Sequence, residues 1–202
     1  MHQITKLAEL FQKLPGIGPR QARRFVYFLL SQDKGFVKEL SAQIAEVQAH
    51  IMECKKCHRF FDADGYADVC DICSSPNRDK TLLMVVEKDA DLDAIEKSHV
   101  YNGQYFVLGG TVAILDQADN TMRTGDLRKQ ITENTKQIAE IILAMSANPE
   151  GEITEHHIRS IIEPLIDASR IKISILGRGL STGTELEYSD TDTIKNALLN
   201  RR

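Results

Sequence analysis

Four cysteines constrain this chain more tightly than any other feature: Cys54-x-x-Cys57 and Cys70-x-x-Cys73, with twelve residues between the pairs. Each pair fits a tight turn, and the acidic stretch between them returns the chain, so four thiolates can close a tetrahedral zinc site. No other cysteine exists, so every thiol is accounted for. A four-sulfur shell leaves no position open to water, which makes the expected zinc structural, one per chain. Residues 54–79 hold too little apolar material to build a core, and the metal would fold them. His58, next to Cys57, is the alternative fourth ligand, but the four thiols are preferred. Disulfides are disfavoured by the reducing compartment expected for this chain.

That compartment is read from composition. The 202 residues are 42% hydrophobic and 27% charged, as in an ordinary globular protein. No apolar run approaches 18 residues, and the opening "MHQITKLAELFQKL" is amphipathic rather than leader-like, so a cytoplasmic location without membrane contact is expected. The formal net charge of −4 argues against a protein that coats nucleic acid over its whole surface. Charge is unevenly spread, however. Residues 1–60 carry 10 Lys/Arg against 5 Asp/Glu, and residues 61–202 carry 15 against 24. An anionic partner is therefore expected at the N-terminal part.

Hydrophobic periodicity organises the rest. Ile4, Leu7, Leu10, Phe11 and Leu14 predict a first helix, and Ala22, Phe25, Val26, Leu29 and Leu30 a second. Phe36, Leu40, Ile44 and Val47 predict a third, from Gly35 to about Ile51. Beyond the cysteines, "TLLMVVE", "QYFVLGG", "AEIILAMS" and "RIKISILG" read as short buried strands. "DLDAIEKS", "DLRKQITEN", "EITEHHIRSIIEPLIDAS" and "TDTIKNALLNRR" read as helices. This alternation predicts a mainly parallel sheet covered on both faces.

Between the first two helices lies "LPGIGPRQARRF". Gly16 and Gly18 permit a tight reversal, and Pro19 suits the first turn of the next helix. Free N–H groups at that helix start attract anions, and side-chain-free glycines let a phosphate approach the backbone. Arg20, Arg23 and Arg24 add charge, with Arg20 and Arg24 on one face. Contacts of this kind go to phosphate, so DNA binding is expected to be independent of sequence and weakened by salt. The plain alternative is a helical hairpin whose glycines only make a turn.

Acidic residues gather at strand ends. Glu87 closes "LLMVVE", and Glu150 and Glu152 follow "AEIILAMSANP". Three carboxylates there could bind Mg²⁺ through oxygen, or could be exposed acids at a helix start. Asp89 or Asp91 reads as a helix cap. His156 and His157 read as ordinary helix residues. Neither a nucleophile elbow nor a phosphate-binding P-loop is present.

In order, "LPGIGP", the four cysteines, "VVE", "VLGG", "ANPEGE", "RGL" and "LEYSDTDTIKNAL" resemble the RecR family of bacterial recombination mediators. The likeness runs from about Leu7 to Arg202. It implies a helix-hairpin-helix DNA-binding unit (1–53), a four-cysteine zinc module (54–79), an α/β Toprim domain (80–170) and a C-terminal strand and helix tail (171–202). It also implies a ring-like dimer or tetramer, and partnership with RecO or RecF in loading RecA onto single-stranded DNA. By motif, Arg20 and Arg24 become the DNA contacts, Cys54, Cys57, Cys70 and Cys73 the zinc ligands, and Glu87, Glu150 and Glu152 a Toprim acidic group tied to partner binding. No catalytic residue is implied. A Mg²⁺-dependent Toprim nuclease is the competing reading. The chain departs from the family pattern where Pro149 runs straight into Glu150, and at Phe106, where a histidine is common.

Overall fold

Proline decides where the first helix stops. In the computed structural model, which describes residues 3–63, 68–112, 122–180, 183 and 185–201, helix α1 spans Gln3–Phe11. The predicted stripe ran on to Leu14. The residue before Pro15 is disfavoured in helical geometry. Lys13 and Leu14 instead donate to the carbonyls of Leu10 and Phe11 in two short-range turns. Helix α2 spans Pro19–Ser31 and helix α3 Lys34–His50, the latter capped by Asp33, whose carboxylate accepts from the Phe36 amide at 3.0 Å.

These helices fall in the first of two units, Met1–Ile51 and Met52–Arg202. The core of the first is small: Ala8, Ala22 and Val26 are buried, with Ile4, Leu7, Phe11 and Ile17 against them. Phe11 meets Phe25 edge to face with ring centroids 5.7 Å apart. Leu10 and Leu14, expected on the dry side, are exposed. The α3 stripe is also uncovered: Phe36, Leu40, Ile44 and Val47 are all exposed, and α3 buries no residue.

In the second unit, a two-stranded sheet of β1 (Ile51–Glu53) and β2 (Phe60–Asp62) precedes a short helix α4 (Asp71–Ser74). Strands β3 (Asp79–Val86), β4 (Gly103–Val107), β5 (Glu140–Ala144) and β6 (Lys172–Ile175) then form a four-stranded sheet of order β4-β3-β5-β6, with every pair parallel. Helices α5 (Asp89–Ser98), α6 (Thr124–Asn134), α7 (Pro149–Ile162) and α8 (Thr191–Leu199) complete the unit. None of the described helices is long and apolar enough to cross a membrane.

The strand residues alternate between two cores. Leu83, Val85, Phe106, Ile141 and Leu143 pack with Leu127 and Ile131 of α6 and Ile158 and Ile162 of α7. Met84, Val86, Tyr105, Val107 and Ala144 face the other way, toward Leu92 of α5, Phe61, Ile72 and the four cysteines. The cysteine segment, which has no core of its own, thus shares one with the sheet. Arg78 locks that junction. Its guanidinium pairs with Glu96 of α5, and the Tyr105 hydroxyl donates to the same carboxylate at 2.7 Å.

The helix predicted to run through Ser169 ends at Ile162 and tightens into a 3₁₀ turn over Glu163–Leu165. Pro164 has no N–H to continue the α-helical ladder. At α5 the cap is Asp91, which accepts the Lys88 amide at 3.1 Å, while Asp89 reaches back to accept the Phe60 amide at 2.8 Å.

Candidate nucleic-acid interface and metal centre

In the first unit, the glycines play different parts. Gly16 has a φ of +74°, a conformation other residues rarely adopt, and space around it is open. Gly18 is extended (φ −79°, ψ 170°) and occupies the cap position of α2, with Pro19 directly after it. Among the described residues, no side chain caps this end. The N–H groups of the first turn therefore remain available to an external acceptor. Among the described residues, nothing lies within 4 Å of the point where a Gly18 side chain would begin, so the backbone here is approachable. Arg20, Arg23 and Arg24 are exposed beside it, because Ala22 and Val26 take the buried face of α2. Arg24 donates to Gln21 Oε1 of its own helix at 3.4 Å and forms no ion pair among the described residues. A helix start with free donors and three unburied guanidiniums has the chemistry to hold an anion.

In the second unit, Cys54, Cys57, Cys70 and Cys73 are buried, unbridged by disulfides, and have ligand atoms all within 4.8 Å of one another. The local chain explains the convergence. The His58 amide donates to the Cys54 carbonyl at 2.9 Å, and His58 takes a left-handed φ of +64° that turns the strand back. Cys70 stands at the start of α4, and its amide donates to Cys54 Sγ at 3.4 Å. A zinc–sulfur bond of about 2.3 Å implies sulfur–sulfur edges of about 3.8 Å, so four thiolates at this spacing fit the ion. Cys57 Sγ and Cys70 Sγ stand 3.6 Å apart.

The thiols cannot ionise independently. Hydrogen bonding from Cys57 and its neighbours holds the Cys54 thiol far below the usual range, and bonding to Cys54 pushes Cys57 and Cys73 far above it. A divalent cation removes the repulsion that opposes the later ionisations, so its binding releases protons and weakens as pH falls. His58 is turned elsewhere: its Nδ1 lies 2.6 Å from Glu53 Oε1 and its ring meets Phe106 edge to face at 5.1 Å.

The three predicted acids do not form a matching cluster. Among the described residues, the four cysteines are the one group of three or more such side chains placed to share a metal ion. Glu87 is buried at the end of β3, where the Ser146 amide and hydroxyl donate to its two oxygens at 2.7 and 2.8 Å. Glu150 is exposed in the first turn of α7. Glu152 pairs with Arg178 at 2.5 Å, on the wall of a cleft of about 760 Å³ that Asp190 and Lys195 also line. His156 and His157 are exposed on α7.

Sequence reasoning missed the residues that set these acids in place. Ser146 lay inside a segment read only as a strand, and Arg178 inside a short motif given no role. Gly151 was given no role, yet a side chain there would start 2.1 Å from the Ser146 carbonyl oxygen. Asn148 caps α7 by accepting the Gly151 amide at 2.7 Å, and buried Thr154 accepts the Val112 amide at 2.9 Å.

With this geometry established, similarity to known proteins decides the family. A "RecR, helix-hairpin-helix" model matches residues 4–48, a Toprim domain model residues 81–176 and a "RecR, C-terminal" model residues 179–202. A recombination protein RecR of Legionella pneumophila (strain Philadelphia 1) is 36% identical over 202 residues, covering 100% of this chain and 96% of that protein.

The chain belongs to the RecR family.

The RecR protein of Cereibacter sphaeroides is 38% identical over 200 residues, covering 98% and 96% of the two chains, and that of Porphyromonas gingivalis 34% over 201, covering 98% and 91%. The parallel α/β body is thus a Toprim domain, carrying a four-cysteine cluster, preceded by the RecR helix-hairpin-helix region and followed by the RecR C-terminal segment.

Proposed function

We propose that this protein is a non-enzymatic, DNA-binding mediator of recombinational repair. It works in the cytoplasm with RecO or RecF to load RecA on single-stranded DNA. The observation that carries this reading is the uncapped start of α2, approachable at Gly18 and flanked by exposed Arg20, Arg23 and Arg24. Such a surface grips phosphates whatever the base sequence. The similarity to proteins named for recombination supports the same role.

The remaining parts follow. One zinc per chain sits on Cys54, Cys57, Cys70 and Cys73 and serves structure. The chain works as a ring-like dimer or tetramer. The uncovered α3 stripe of Phe36, Leu40, Ile44 and Val47 supports self-association, because apolar surface gains by leaving water. Several hairpins on one assembly multiply weak phosphate contacts into avidity. Glu87, Glu150 and Glu152 belong to a partner-binding end of the Toprim domain. The division into parts at residues 53, 79 and 170 is the working map for truncations.

The test is a DNA titration at several salt concentrations. Replacing Arg20 and Arg24 by Ala weakens binding on every sequence and flattens the log–log salt slope by about 1.5 per chain. Unchanged affinity and slope would remove the hairpin from the mechanism. A cleavage assay with Mg²⁺ or Mn²⁺ addresses enzymatic action: nicking that Glu87→Ala abolishes would overturn the mediator reading.

A further inference from the structure

Of the aromatic residues on α2, Phe25 and Phe28 are accounted for by packing and Tyr27 is not. Phe25 meets Phe11 edge to face, and Phe28 meets Phe36 of α3 with ring centroids 6.2 Å apart. Tyr27 is 59% exposed, and among the described residues its ring pairs with no other aromatic ring. Its place on the helix explains the exposure. Buried Ala22 and Val26 fix the inward face of α2. At 3.6 residues per turn Tyr27 falls on the outward face, one turn beyond Arg23 and Arg24. Counted from Arg20, the residues Arg20, Arg23, Arg24 and Tyr27 stand at i, i+3, i+4 and i+7, a single outward stripe. The stripe is cationic without compensation. No Asp or Glu occurs between Glu9 and Asp33, and none of the three arginines forms an ion pair among the described residues.

An outward ring inside an arginine stripe fits a partner that is both anionic and flat. A second copy of this chain does not meet that description, because a symmetric contact through the stripe would set these arginines against their own counterparts. Phosphate alone answers the arginines and leaves the ring in water. A nucleic-acid strand answers both, and the ring decides which kind. In a duplex each base is stacked between its neighbours and its face is closed. In a single strand the faces can open onto an aromatic side chain. We propose that Tyr27 is a stacking platform for one unpaired base, with the phosphates of the same single strand on Arg20, Arg23 and Arg24. This rests on the DNA-binding reading of the hairpin given above. It adds to that reading a residue whose contact a duplex does not make, whereas phosphate contacts are open to both.

The experiment uses zinc-loaded full-length protein, titrated with oligo-dT and with a duplex at several salt concentrations. Tyr27→Ala is expected to bind oligo-dT about fivefold more weakly or worse and to bind the duplex as the parent does. Its salt slope stays parental because no charge is removed, unlike that of the Arg20 and Arg24 variant. Tyr27→Phe keeps the ring and so keeps single-strand affinity. The chain has no tryptophan, so Tyr27→Trp places a lone indole at the site. Oligo-dT quenches its fluorescence and the duplex leaves it unchanged, a direct readout should Tyr27→Ala misfold. If the parent binds no single strand, the proposal falls, and if it binds no duplex either, the hairpin reading falls with it. If the parent binds both and Tyr27→Ala weakens them equally or not at all, the stacking role alone is overturned and the arginine surface stands. A fall in assembly mass on Tyr27→Ala, measured by light scattering, would make the ring a contact between copies and overturn the proposal as well.

Discussion

Replacing Gly151 by Ala tests whether the end of β5 and the start of α7 are held by backbone contact. The added methyl group would stand 2.1 Å from the Ser146 carbonyl oxygen and 2.9 and 3.0 Å from its carbon and nitrogen. These are backbone atoms with no rotamer to escape into, so the helix start must retreat by at least about 1 Å. Overpacking of this kind costs about 1–3 kcal/mol. Ser146 also holds Glu87 through two bonds, and a hydrogen bond to a charged group is worth about 1.5–3 kcal/mol. Against this, Ala favours a helix over Gly by about 1 kcal/mol. The net loss is about 3 kcal/mol, or a melting temperature lower by roughly 6–12 °C for a unit of this size. Gly125 supplies the control: it lies in the first turn of α6 with nothing within 4 Å of an added side chain. Gly125→Ala holds or raises stability by up to about 1 kcal/mol. Thermal melts of both variants, followed by far-ultraviolet circular dichroism on zinc-loaded protein, give the comparison. If Gly151→Ala melts no lower than Gly125→Ala, the close approach does not govern this end of the fold.

Three further outcomes are expected. Cys70→Ser lowers bound zinc from one per chain toward none by elemental analysis and loosens the second unit, and retention of both metal and melting temperature would refute the four-thiolate centre. The Arg78 hydrogen bonds hold the Glu96 carboxyl below the usual carboxylate range, so its stabilisation is present above that range and is lost as pH falls through the lowered value. Glu96→Gln therefore costs about 1–3 kcal/mol at neutral pH, less than for a fully buried pair because the site is partly wet, and the deficit shrinks in acid; a deficit independent of pH would be inconsistent with this. Gly16→Ala costs the hairpin about 1 kcal/mol through its positive φ alone, seen as faster amide exchange in α1 and α2. Exchange as slow as in the parent would contradict the strained-turn account.

Much of the architecture was legible in the residues. Strands β3, β4 and β5 announce themselves as short apolar runs because both sheet faces are covered there, the β6 segment alternates Ile171, Ile173 and Ile175 with polar residues at the sheet edge, and the cysteine spacing foretells the convergence of four sulfurs. Strand order was not legible, since nothing in "TLLMVVE" says that it sits between β4 and β5. The periodicity of α3 was also ambiguous: an apolar stripe looks the same whether its cover comes from its own chain or from elsewhere, and here Phe36, Leu40, Ile44 and Val47 stay uncovered. The environment of the acids was hidden for a different reason. The Ser146 contact to Glu87 spans 59 residues, and the demand for glycine at 151 exists only once two backbones meet.

The bond from the Val107 amide to the Cys57 carbonyl, 2.8 Å long, has a bearing on solubility. Strand β4 lies at the rim of its sheet, and an open rim invites strand-by-strand addition of other molecules. The cysteine turn, together with Arg123, whose guanidinium reaches the Val107 carbonyl at 3.3 Å, shields part of that rim. A metal ion that keeps the turn in shape would then also act as a guard against clumping, and chain stripped of it by a chelator would come out of solution before its helices melt.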